Sequence, residues 1–225
     1  MGLIKDYMDV YRADIDQKIF ITTAGEYERA IGSGKFKEPV IEDRILYPNG
    51  KLGFLSVRLR YEDNIAEIFK AERLERLKPV QQVLISSFGP IIARHSHQDI
   101  GTILSLFDND PKTLLRGREL NPFVMEFHFQ NLESFTKIDL NLFYSNSTVT
   151  ISSKDSKGNW KIEQSKSQQT NKENPLASFQ FAPAVQTQDI RIEVLYRDKV
   201  GLDANVHLYE LIIETSRGRV RFPFR

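Results

Sequence analysis

Phe123–Phe129 reads FVMEFHF. Phe123, Met125, Phe127 and Phe129 fall on one side of an extended chain, and Glu126 and His128 on the other. Successive side chains of a strand point to opposite faces, so the stretch predicts a strand with one dry and one wet face. The same grammar spreads outward. Ile138, Leu140, Leu142 and Tyr144 repeat it, as do Val149 and Ile151, Phe179 and Phe181, and Ile190, Ile192 and Val194. Val206, Leu208 and Ile213 continue it, and Val220 and Phe222 lie near the end. From about Val80 onward the period is two almost throughout. Many short strands separated by turns predict an antiparallel sandwich or barrel. Ser165–Asn174 (SKSQQTNKEN) is polar and aperiodic and reads as a long exposed loop within that sandwich.

Upstream the periods are mixed. Leu3, Ile4, Tyr7, Met8 and Tyr11 recur at helical spacing. Lys18–Thr23 reads as a strand, and Gly25–Ile31 as a short helix stopped by Gly32 and Gly34. Ile41–Tyr47 and Phe54–Tyr61 flank Pro48-Asn49-Gly50, a hairpin signal because Asn-Gly accepts positive φ. Asn64 then opens a helix with Glu67 three residues on, Ile65, Ile68, Phe69 and Leu77 as its stripe, and Pro79 as its stop. The expected organisation is a small α+β unit over residues 1–80 and a β-sandwich over 81–225.

Composition narrows the function. The 225-residue chain has no cysteine, which excludes disulfides, thiolate metal sites and cysteine nucleophiles. Its 31 Lys and Arg balance 30 Asp and Glu, which argues against a nucleic-acid partner. No stretch approaches the ~18 apolar residues a membrane helix needs, and no signal peptide is visible, so the compartment is left open. There is no nucleophile elbow, phosphate-cradling glycine loop or HExxH, and no carboxylate pair stands out among the 30 acids. No catalytic residue is expected.

Three pieces of the second region carry a family likeness. Leu104–Phe129 (LSLFDNDPKTLLRGRELNPFVMEFHF) joins a short helix, the loop Phe107-Asp108-Asn109-Asp110-Pro111-Lys112-Thr113 and a strand with an acid between apolar residues. Asp155-Ser156-Lys157-Gly158-Asn159-Trp160 is a hairpin turn ending in tryptophan, and Ile190–Glu214 supplies a closing strand pair with Glu210. In this order they resemble the discoidin, or coagulation-factor type C, superfamily of galactose-binding-like sandwiches, to which many carbohydrate-binding modules belong. The likeness implies a galactose-binding-like jelly roll over about residues 82–225. It implies a structural Ca2+ held by Asp108, Asp110, Thr113 and Glu210, and a core position for Trp160, in line with its alternation with Ile162. The tryptophan usual after the loop threonine is missing; Leu114 and Leu115 stand there. The N-terminal unit, with Arg94-His95-Ser96-His97-Gln98-Asp99-Ile100-Gly101, is similar to extracytoplasmic C-terminal regions of bacterial membrane glycosyltransferases of the lipid-linked-sugar type.

The residues have readings of their own. Calcium takes several oxygen ligands, which an Asp-Asn-Asp-Pro loop presents; equally, such aspartates cap their own loop amides. His95 and His97 alternate from a strand end and read as ligand or metal contacts, or as polar loop residues. Arg94, Arg116 and Arg118 offer planar donor forks suited to vicinal hydroxyls or carboxylates, or they are solvated surface arginines. Three functional readings follow. One is a non-catalytic region that contacts a glycan or glycoconjugate, with a membrane-embedded catalytic part as partner or parent chain. Another is a protein- or lipid-headgroup-interaction module. A third makes the N-terminal unit an enzyme.

Overall fold

The computed structural model describes residue 8 and residues 11–117, 120–142, 146–171, 175–197 and 205–223. The chain divides into two compact units, Met1–Arg76 and Leu77–Arg225.

In the first unit, strand β1 (Ile19–Thr22), helix α1 (Ala24–Gly32), strands β2 (Phe36–Leu46) and β3 (Leu52–Tyr61) and helix α2 (Ile65–Arg76) follow in order. The strands form a sheet in the order β1-β3-β2. The Thr23 side chain caps α1 by accepting the Glu26 amide, and Gly50 takes φ +79 in the β2–β3 turn. Phe20, Phe36, Leu55, Val57 and Leu59 are buried together. Lys35 is also buried; it ion-pairs with Glu72 at 2.8 Å and lies 4.9 Å from the Phe69 ring. Of the predicted α2 stripe only Ile65 is fully buried, and Leu77 lies beyond the helix and is exposed. Leu3, Ile4 and Tyr7 lie outside the described residues.

The second unit is antiparallel β. Its strands are β4 (Val80–Ser86), β5 (Gly89–His95), β6 (Leu115–Gly117), β7 (Phe123–Leu142), β8 (Asn146–Lys154), β9 (Trp160–Gln169), β10 (Leu176–Tyr196), β11 (Val206–Thr215) and β12 (Gly218–Arg219). Two strands are long enough to serve both layers. The first half of β7 lies between β5 and the second half of β10, and the second half of β7 lies between β11 and the first half of β10. Register shifts at Gln180/Val185 and Thr187/Asp189 break the β7–β10 ladder between the halves. Such bulges let a continuous strand bend from one sheet to the other. One layer thus runs β4-β5-β7-β10-β8-β9 and the other β12-β11-β7-β10, with β6 on β11.

The alternation read from the sequence lines the core. Phe123, Met125, Phe127, Phe129, Ile138, Leu140, Phe179, Ile192 and Leu211 are all within 1% of complete burial and belong to one cluster. The Phe129 and Phe135 rings meet edge-on at 5.2 Å, where β7 passes between layers.

Two expectations are corrected. The polar run from Ser165 is strand through Gln169, not loop. Cross-strand hydroxyl pairs hold it: Thr148 to Ser167 at 2.8 Å and Thr150 to Ser165 at 2.9 Å. β9 pairs only with β8 among the described strands and buries neither face, so beyond Trp160 and Ile162 no apolar alternation marks it. For the same reason Trp160, which opens β9, is only half-buried and Ile162 is 64% exposed. Lys154 Nζ and the Arg191 guanidinium carbon lie 4.9 and 5.8 Å from the tryptophan ring.

Candidate functional site

The first candidate lies at one strand end. Ser96 anchors it: its amide donates to Val124 O at 2.8 Å, and its Oγ accepts the Val124 amide at 2.9 Å. The chain then runs through His97, Gln98 and Asp99 to Ile100, which bridges to Arg116 of β6. The Asp99 amide donates to Arg116 O, and the Arg116 amide to Ile100 O. The side chains repeat the pairing. Arg116 Nε donates to Asp99 Oδ1 at 2.9 Å and Nη2 to Oδ2, a two-bond fork that fixes the guanidinium plane.

Gly101 makes this approach possible. Its φ is +73°, and a Cβ there would stand 2.1 Å from Leu114 O. Gly117 is equally constrained, since a Cβ would meet the buried Phe123 ring at 2.2 Å. β6 pairs with β11, which sets Gly117 opposite Val206 and Arg116 opposite His207. Two amide oxygens adjoin this corner in the chain, Gln98 Oε1 beside Asp99 and Asn205 Oδ1 beside the β11 residue Val206, and both are buried without a hydrogen-bond partner. Buried polar atoms are ordinarily satisfied, so they are the groups most improved by an incoming donor.

His95 turns inward and is 1% exposed. Its Nδ1 lies 2.8 Å from Ser96 O, which can only accept, so Nδ1 carries the proton. Nε2 then accepts from the Gln82 amide at 3.1 Å. Burial pushes its pKa below the ordinary histidine value; the Ser96 carbonyl opposes this and His97 adds to it. Both nitrogens are used within the fold, which corrects the reading of His95 as a ligand contact. His97 is half-buried in the same segment. Arg94 points to the outer face of β5, toward Glu126. Arg118 lies outside the described residues.

The Asp108–Thr113 loop follows a single 3-10 segment, Ile103–Phe107, capped by Thr102 and Ser105. Asp108 Oδ1 accepts the Asp110 amide at 2.9 Å and the Thr113 hydroxyl at 3.0 Å. Asp110 Oδ1 accepts the Lys112 amide at 2.9 Å. Asn109 takes φ +59, and its Oδ1 accepts from Arg219 at 2.7 Å. Glu210 sits on β11 with Oε1 buried and without a hydrogen-bond partner. Among the described residues no group of three or more His, Cys, Asp or Glu could hold a metal ion. A cation at this loop would therefore rest on carbonyls and Thr113 as much as on carboxylates. The loop's donors are all hard oxygens, which suits calcium, but Glu210 does not group with both loop aspartates.

A second cleft, of about 200 Å3, opens on the outer face of the β5-β7-β10 layer, between Leu77, Pro79, Arg94, Glu126 and Arg191. Gln98, Asn205, Glu126 and Arg191 were not singled out by sequence. The one local signal was the placing of Glu126 on the wet face of its strand.

No protein-family model matches the chain, and no curated protein matches it. Solved structures do resemble it. A family 32 carbohydrate-binding module from C. perfringens NanJ, in complex with galactose, is 11% identical with a TM-score of 0.45, covering 63% of this chain and 100% of that one. The family 32 module of AlyQ, in complex with 4,5-unsaturated mannuronic acid, is 16% identical with a TM-score of 0.43, covering 60% and 97%. Chitosan-binding module 1 from a chitosanase/glucanase of Paenibacillus sp. IK-5 is 15% identical with a TM-score of 0.41, covering 58% and 95%. These structures are carbohydrate-binding modules.

Proposed function

We propose that the second unit is a non-catalytic carbohydrate-binding module whose strand-end corner, with Arg116, Asp99 and His97, contacts a glycan. The observation that carries this reading is the pair of partnerless buried amide oxygens, Gln98 Oε1 and Asn205 Oδ1, adjoining in the chain the corner that holds the Arg116–Asp99 fork. Sugar hydroxyls both donate and accept. The fixed, partly exposed guanidinium of Arg116 meets them at small reorganisation cost, and the two buried amide acceptors are the groups that gain most from a donor. Each hydroxyl leaves good water hydrogen bonds, so the expected affinity is weak, on the order of 0.1–1 mM, about −4 to −5.5 kcal/mol. A glycan array followed by calorimetry tests it. Binding weakened by Arg116→Ala in protein that remains folded supports the corner; an empty array overturns it.

The loop Asp108–Thr113 is proposed as a structural calcium site. Calcium would then raise the melting temperature of chelator-treated protein by mass action, and Asp108→Ala would abolish the rise. An identical melt with and without calcium removes the ion from the account.

The proposed setting is the soluble, extracytoplasmic part of a membrane glycosyltransferase, supported by the sequence likeness of the N-terminal unit. Membrane segments in the same reading frame, or a co-purifying membrane enzyme, test it. One observation favours the alternative of a protein-interaction module. Val83, Ile85 and Ile92 on the outer face of the β4–β5 hairpin are 62%, 62% and 39% exposed. A pull-down that finds a protein partner beside an empty glycan array would favour it.

A further inference from the structure

The cleft on the outer sheet face has a chemistry separate from the corner. Register sets Arg94 of β5, Glu126 of β7 and Arg191 of β10 side by side across three strands. Glu126 lies between the arginines but hydrogen-bonds to neither. Arg94 Nη1 is 3.8 Å from Glu126 Oε2, and Arg191 Nε is 3.8 Å from Glu126 Oε1. Arg191 is held from its other side, where Nη2 donates to Glu193 at 3.3 Å and the guanidinium lies beside the Trp160 ring. Its Nε is left buried without a hydrogen-bond partner. A desolvated donor 3.8 Å from a carboxylate is a pair that a group accepting and donating at once would satisfy.

A hydroxyl is such a group; a carboxylate or phosphate is not. Two arginines, Arg94 and Arg191, line the cleft with one carboxylate, Glu126, which stands between them and would repel an anion at the point of contact. The volume is about 200 Å3, below the ~300–1,000 Å3 of pockets for drug-sized ligands, and is scaled to one ring. Leu77 and Pro79 at the rim offer apolar surface to the C–H face of such a ring.

We propose that this cleft is a second, sheet-face subsite for a neutral sugar ring. One hydroxyl accepts from Arg191 Nε–H and donates to Glu126, and a neighbouring hydroxyl accepts from Arg94. Ser96 borders both this cleft and the strand-end corner, but none of the side chains proposed to meet the glycan there lines the cleft.

The test follows the Arg191 Nε–H resonance by NMR, with Trp160 fluorescence alongside, since Trp160 is the only tryptophan and borders Arg191. Methyl β-galactoside and methyl β-glucoside are titrated to about 50 mM, a range that reaches millimolar affinities. Glucuronate and inorganic phosphate run in parallel. The expected result is a saturable shift with at least one neutral glycoside. That shift is weakened roughly fivefold, about one ordinary hydrogen bond, by Glu126→Gln and by Arg94→Ala. Arg94 is half-exposed, so its removal leaves the melting temperature unchanged. Arg116→Ala leaves the shift intact, which separates this site from the corner. No saturable shift with either glycoside overturns the proposal, as does tighter binding of glucuronate or phosphate, or loss of the shift in Arg116→Ala.

Discussion

The loop Asp108–Thr113 and the corner Ser96–Gly101 are close in sequence, similarly polar and both stabilised by an aspartate. They differ in what they do with their hydrogen bonds. In the loop, Asp108 and Asp110 accept the loop's own amides and the Thr113 hydroxyl also turns inward. In the corner, the Asp99 side chain reaches across to Arg116, and the adjoining Gln98 Oε1 and Asn205 Oδ1 are buried and unpaired. A loop that satisfies itself stabilises a fold. In a corner that leaves buried acceptors unpaired, the proposed ligand would add hydrogen bonds that folding did not supply.

The comparison breaks most sharply at the glycine that lets the corner close. Gly101→Ala is expected to cost about 2–4 kcal/mol, combining left-handed strain with a clash against backbone. Chemical denaturation measures it, and a loss below ~1 kcal/mol would mean the corner adjusts freely. Next comes the loop itself. Asp108→Ala removes the bond accepted from the Asp110 amide and one of three acceptors within reach of the Thr113 hydroxyl, and should cost about 1–2 kcal/mol in calcium-free buffer, with glycan binding retained. Binding lost in step with stability would merge the two regions into one unit.

Arg116→Ala sharpens the difference from the other side. It should weaken glycan binding about tenfold, near 1.4 kcal/mol, while costing under ~1 kcal/mol of stability, because the ion pair is partly solvated. The smallest effect is a pH slope. His95 has a folded pKa below its unfolded value, so the unfolded chain takes up the proton first as pH falls. Its contribution is complete above pH 6.5 and declines below it, down through the folded pKa. His95→Gln should flatten that part of the melting-temperature profile. A profile equally steep in the variant would assign the slope to other groups.

The strands with one buried face were readable residue by residue. Phe123–Phe129 and Ile190–Val194 alternate because one side of each meets the core, and the structure buries the apolar members. The loop was readable too, because Asp side chains cap amides only two residues away and need no distant partner. β9 was not. With neither face buried, its residues beyond Ile162 carried no apolar period, and its pairing to β8 is visible only when Thr148 and Thr150 stand opposite Ser167 and Ser165. Trp160 misled for the same reason, since alternation says that a residue has a side but not whether that side is covered.

Periodicity and turn chemistry, which act over a few residues, thus determined by sequence alone the mixed first unit, the antiparallel second unit and its core strands. The sites were decided by tertiary structure. Arg116 meets Asp99, Asn205 adjoins the corner, and Glu126 falls between Arg94 and Arg191 only because β5, β6, β7, β10 and β11 pair in this register. A one-residue slip would turn each of these side chains to the opposite face, and no local pattern records which of the possible registers is filled.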